Sequence, residues 1–248
     1  MLLLSAAQSL FVTVGRTAQS ATRPLLSLTA AAVVLSTPAT SYAQATNIDT
    51  ARPSYGSSTL GTTLNPVFQG GTLTVDEVNS IHGENFTLDA SNTNNIFLNG
   101  QNITLTGGFS DAVAGQPGQI IINNVDQNAN LTLAGPSSHT GGTIINNATV
   151  TAFSVSALGD PNGTTTLNNG VLTLKTDQGQ NTFTQNGGIV GGASNFTVNN
   201  YNLNGGSVNS ETTITAAGPM MLTAGTVNGV LNGTGNLVKG GTGAVTLA

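Results

Sequence analysis

The chain has no cysteine and no tryptophan, and only 6% of its 248 residues are charged. Without cysteine there is no disulfide framework and no thiolate metal site, so stability has to come from packing and hydrogen bonding alone. So few charges leave little material for amphipathic surface helices. Beyond roughly the first forty positions no stretch repeats apolar residues at the three-and-four spacing of a helix. A compact α/β enzyme is therefore not expected. Aromatic residues are limited to Phe and Tyr, at 4% together, too few to fill the thick core of a sandwich or jelly roll. Basic residues number five against ten acidic ones. Two of the five, Arg16 and Arg23, lie near the N-terminus, and Arg52, Lys175 and Lys239 remain for the rest. That excludes a phosphate-tracking groove, so nucleic acid is not a partner, and an anionic membrane surface is disfavoured for the same reason.

What the chain has instead is 32 glycines and an abundance of Asn and Thr. Short apolar alternations recur between them: Thr72 to Val75, Asn85 to Leu88, Ile96 to Leu98, Ile103 to Leu105, Ile120 to Ile122, Leu131 to Leu133 and Thr143 to Ile145. Val171 to Leu174, Phe196 to Val198, Ile214, and Met221 with Leu222 continue the series. Each alternation is bounded by Asn, Gly or Asp, residues that tolerate a left-handed backbone and close tight turns. A strand-turn unit of this kind cannot bury its apolar edge alone and needs copies stacked above and below. The expected fold is all-β, a right-handed parallel β-helix. Coils of roughly twenty residues stacked about 4.8 Å apart would number about nine between Asn65 and Ala248. In such a stack asparagine amides can bond to their counterparts one coil away. Turn chemistry is nevertheless expected to account for most of the asparagines.

Residues 1–45 differ in kind. Arg16 and Arg23 precede the apolar run Leu25 to Leu35, followed by Pro38 and by the small residues Ala43 and Ala45. A basic flank, an apolar core too short to span a bilayer comfortably and a small-residue exit together read as a secretory signal peptide, cleaved after Ala43 or Ala45. Met1 to Val14 adds a possible extended leader. Residues 46–65 are polar and rich in Ser, Thr, Gly and Pro, and read as a lead-in, with the repeats occupying 66–248.

The search for chemistry yields no catalytic, cofactor or metal site. His82 and His139 sit among turn residues and read as solvated loop positions. Asp76 and Glu77 are adjacent, so on a strand they would point to opposite faces, and Asp89, Asp111, Asp126 and Asp177 are scattered among turns. There is no Gly-x-Ser-x-Gly elbow, and the run from Gly159 to Gly163 reads as a turn in which Pro161 presets φ and Asn162 and Gly163 take positive φ. Glycine pairs such as Gly233 and Gly235 lack the helix or lysine of a phosphate loop.

The segment Gly233 to Leu247 resembles the opening of the autotransporter-associated β-strand repeat, roughly G-x-G-x-L-x-K-x-G-x-G-x-L-x-L. Leu131 to Gly135, Thr140 to Ile145, Ala157 to Gly159 and Leu167 to Leu172 resemble its continuation. Ser137 stands there in place of Asn, His139 in place of an aromatic residue, and Ala148 in place of Gly. The resemblance implies a passenger domain carried to the outer face of a Gram-negative outer membrane, by way of the periplasm, by a β-barrel translocator. The pattern is still running at Ala248 and no barrel strands occur before it, so the passenger is expected to be truncated. Its expected role is structural or adhesive and non-catalytic, toward host or neighbouring-cell surface molecules or polysaccharide. Two alternatives stand beside it: a polysaccharide-active β-helix with carboxylates assembled across coils, and a two-partner secreted exoprotein, for which Asn65, Pro66 and Val67 match the usual Asn-Pro-Asn element poorly.

Overall fold

The computed structural model describes residues 47–248 apart from 52–53, 63–64 and 126–127. The signal peptide expected over 1–45, with its exit at Ala43 or Ala45, and Asp126 lie outside the described residues.

Strand follows strand from Asn47–Asp49 to Val245–Leu247, and the sole helical element among the described residues is a 3-10 turn at Ser57–Thr62. Every strand pairs in parallel with a strand one coil earlier or later, which builds a β-solenoid of about ten turns. The strands fall into three sheets of four, twelve and nine strands that form the walls of the stack. The first coil begins inside the polar segment read as a lead-in: Asn47–Asp49 pairs with Val67–Gln69, and Tyr55–Gly56 with Thr72–Thr74. Ile48 is the only apolar residue of its strand and is fully buried. One correctly phased side chain is enough to place a strand that composition alone reads as polar.

Parallel in-register pairing sets identical positions of successive coils on top of one another. Along the nine-stranded sheet, Ile103, Leu131, Val150, Leu172, Val190, Val208 and Val227 form one inward column, and all of them are buried. Burying one such side chain contributes roughly 1.5–3 kcal/mol relative to leaving it in water, so these columns supply the stability that no disulfide provides. Aromatic rings stack in the same way: Phe68 on Phe86 at 5.7 Å and Phe86 on Phe109 at 5.2 Å between centroids. Farther along, Phe183 lies 5.5 Å from Tyr201, with the two rings only 7° from parallel.

Glycine sets the corner before three strands of the nine-stranded sheet. Gly170, Gly188 and Gly206 all have positive φ, and a Cβ on Gly188 or Gly206 would lie 2.3 or 2.2 Å from the carbonyl oxygen of the glycine one coil before. Only a residue without a side chain permits that stacking distance.

Coil length varies: asparagines paired across neighbouring coils lie 23 residues apart at Asn123 and Asn146, 22 at Asn146 and Asn168, and 18 at Asn168 and Asn186. Turns absorb the difference while the strands keep register. The asparagines also depart from expectation. Among the described residues only Asn65, Asn79, Asn99 and Asn147 take positive φ. Asn95, Asn123, Asn146, Asn168, Asn186 and Asn204 instead form one continuous ladder, each Nδ2 donating to the Oδ1 of the coil before.

Candidate functional site

Both histidines are buried rather than solvated. His82 ends the strand Ser80–His82 with 9% exposure, its Nε2 3.4 Å from Glu77 and its Nδ1 3.9 Å from Glu84. His139 is fully buried and meets Phe109 edge-on at 6.0 Å, so it extends the Phe68, Phe86, Phe109 column as a fourth ring. The Thr143 hydroxyl donates to the Leu158 carbonyl, which leaves its oxygen to accept from His139 Nε2 at 3.1 Å. That arrangement selects the neutral ring with Nδ1 bare, and Nδ1 has no partner. Burial pushes the His139 ring down to about 4, against the opposing pull of the Asp111 and Asp160 carboxylates. A ring with no route to solvent is a core residue, not a base.

Glu77 and Glu84 meet at His82, whereas Asp76, Asp89, Asp111 and Asp177 each serve a separate turn. Asp76 accepts from the Ser58 amide at 2.8 Å, the Ser58 hydroxyl at 2.8 Å and the Ser57 hydroxyl at 3.0 Å, tying down the 3-10 turn. Desolvation works to raise its pKa, and the hydrogen bonds from Ser58 and Ser57 together outweigh it and hold the carboxyl below the usual range. Asp89 accepts from the Ser91 amide, and Asp177 from the Asn195 amide. Asp111 accepts from the amides of Gly118 and Thr140 and from the Thr140 hydroxyl. Each of these carboxylates caps a turn of its own or of a neighbouring coil, which is why acidic residues recur at turn positions.

A concavity lies elsewhere among the described residues. A shallow groove of about 390 Å³ crosses four successive coils, lined by Pro161 and Asn162 in the first, Gly179, Gln180 and Asn181 in the second, Thr197, Val198 and Asn199 in the third, and Ala217 in the fourth. Gly179 pairs with Thr197, and Gln180 with Val198. The outward position at Gly179 has no side chain and Ala217 has a short one, so the longer amides of Asn162, Asn181 and Asn199 stand around a depression. Asn162 is held by Asp160, whose Oδ1 accepts from its backbone N at 2.8 Å and from its Nδ2 at 2.9 Å. Its turn closes through the Gly163 amide donating to the Asp160 carbonyl at 2.8 Å, and neither Asn162 nor Gly163 takes the positive φ expected of it. Asn199 Nδ2 lies 3.5 Å from Asn181 Oδ1, a long contact that leaves both amides available to another partner. Gln180 is buried, donates from Nε2 to the Asp160 carbonyl at 3.3 Å, and has no partner for Oε1.

The chain matches no family model, no curated protein and no solved structure.

No charged side chain lines the groove. Its polar groups are amides and one hydroxyl, which both donate and accept, and its exposed apolar surface comes from Pro161 and Ala217. Such a surface can hold an uncharged hydroxyl- or amide-bearing ligand and has nothing with which to transfer a proton. The amino-acid sequence contains the Asn162 turn and the repeated Asn-rich strands but offers no sign that residues 162, 181 and 199 share one face, because the intervals between them are set by coil length.

Proposed function

We propose that this chain is an exported, non-catalytic β-solenoid displayed at a cell surface, a structural or adhesive scaffold of the kind an autotransporter passenger provides. The observation that carries this reading is the use made of the ionisable groups. The described carboxylates Asp76, Asp89, Asp111 and Asp177 are committed to turns, His139 is sealed in the core, and the outer faces present amides and hydroxyls repeated coil after coil. A repeated neutral face favours many weak contacts with an extended partner over one deep pocket. The proposed partners are host or neighbouring-cell surface molecules or polysaccharide, and the proposed export route ends at an outer-membrane β-barrel translocator.

The test has two arms. Export in a Gram-negative host followed by mass spectrometry of the mature N-terminus should find it after Ala43 or Ala45, and the protein should be accessible to external protease. Removing two or three whole coils should reduce attachment of displaying cells gradually. Retention of the uncleaved chain in the cytoplasm, or complete loss of attachment on a single side-chain change, would overturn the reading.

A further inference from the structure

We infer that the groove between Pro161 and Ala217 binds an uncharged, extended polysaccharide of the β-1,4-linked type, lying along the stacking direction of the coils. The inference rests on the display reading, which brings the groove to extracellular glycans.

Geometry supplies the first reason. The groove crosses four coils, and parallel coils repeat every 4.7–4.9 Å or so, close to the advance of one sugar along an extended β-1,4-linked chain. A glycan laid along the stack therefore meets a fresh set of groove groups about once per sugar, with Asn181 and Asn199 at equivalent positions of neighbouring coils. Asn162, Asn181 and Asn199 contribute one amide per coil, and the long contact between the last two leaves donors and acceptors free for hydroxyl or acetamido groups. Pro161 and Ala217, both exposed, offer apolar surface beside those amides for the C–H face of a sugar ring.

Charge and hydrogen bonding exclude the rivals. No cation lines the groove, and the Asp160 carboxylate adjoins Pro161, so an acidic polysaccharide or nucleic acid would be repelled. A peptide strand adds to a sheet through its edge, whereas the floor here is the face of paired strands whose backbone groups already bond to neighbouring coils. A single small molecule would remain largely exposed in so shallow a depression, while a polymer gains from repeated weak contacts.

The experiment is a calorimetric titration of the exported chain with cellohexaose and chitohexaose, with hexagalacturonate as the acidic comparison. At least one neutral oligosaccharide should bind and hexagalacturonate should not. Gly179→Ile fills the groove without disturbing the strand, because a Cβ at Gly179 meets only Pro161, at 3.6 Å. It should weaken neutral binding about tenfold or more, a loss of about 1.4 kcal/mol, without lowering the melting temperature. Asn181→Ala combined with Asn199→Ala should do the same from the opposite direction, by removing bonding groups and leaving the space open. Absence of binding by both neutral probes, tighter binding of hexagalacturonate, or indifference to both variants would overturn the inference. If the neutral probes fail while displaying cells still attach, the groove assignment falls and the display reading stands. If they bind but the chain never reaches the surface, the display reading falls and the groove stands.

Discussion

Asn168 Nδ2 donates to Asn146 Oδ1 at 2.6 Å, across the gap between two coils and between residues 22 positions apart. Asn146 in turn donates to Asn123 at 2.9 Å, so each interior amide bonds on both sides. The ladder pins the rotation of one coil on the next, a freedom that apolar columns alone constrain only loosely.

Asn146→Ala removes both bonds at once. With a net contribution of about 0.5–1.5 kcal/mol per hydrogen bond, it should destabilise the chain by about 1–3 kcal/mol in urea unfolding. Asn204→Ala, which loses the one ladder bond to Asn186, should cost about half as much. Equal effects at the two positions would mean the ladder is not a cooperative element.

His139 makes stability depend on pH. Its folded pKa, about 4, lies below the ordinary histidine value of 6.5. Between those values the unfolded chain takes up a proton that the folded chain refuses, so stability is full above about pH 6.5 and falls as the pH drops toward 4. The loss should reach about 3 kcal/mol at the acid end. His139→Phe keeps a fourth ring in the aromatic column and should flatten the profile of unfolding free energy between pH 7 and 4.5. A profile as steep as that of the parent chain would show that His139 is not its source.

Phe183 lies between two other rings, 4.7 Å from Phe196 and 5.5 Å from Tyr201. Phe183→Ala leaves a cavity that the stacked backbone cannot close, and should cost about 3–5 kcal/mol. Limited proteolysis should then cut first in the neighbouring coils, between Gly163 and Ala217.

Two glycines should respond oppositely to alanine. Gly188 has a φ of 73° and a Cβ there would meet the Gly170 carbonyl oxygen at 2.3 Å, so Gly188→Ala should lower the melting temperature markedly. Gly179 is an ordinary strand residue where a Cβ would make only a normal contact with Pro161 at 3.6 Å, and Gly179→Ala should raise stability by about 0.4–1 kcal/mol by restricting the unfolded chain. Differential scanning calorimetry of the pair reads both signs.

Much of the architecture is legible in the sequence because a strand's side chains alternate strictly and its turns demand particular residues. Ile103 to Leu105 coincides with an observed strand, and the strand expected from Asn85 begins one residue later, at Phe86. Phe196 to Val198 is only the start of one that runs from Asn195 to Leu203. Its second half is hidden because Asn199 and Asn200 both stay out of the core before Tyr201 returns to it, a phase slip that ends any period-two reading. The polar neighbours of His139 in the sequence suggest a solvated ring, yet the Phe column beside it gives that ring an apolar socket.

The sequence by itself determined that this chain is a cysteine-free, nearly uncharged stack of short strands closed by Gly and Asn, because those properties are local: alternation over three or four residues and backbone freedom at single positions. Tertiary structure alone decided which asparagines meet, which ring fills the end of the aromatic column, and that Asn162, Asn181 and Asn199 border one groove. Those outcomes depend on register between coils of unequal length, and register is the summed result of every turn and every buried side chain along the stack.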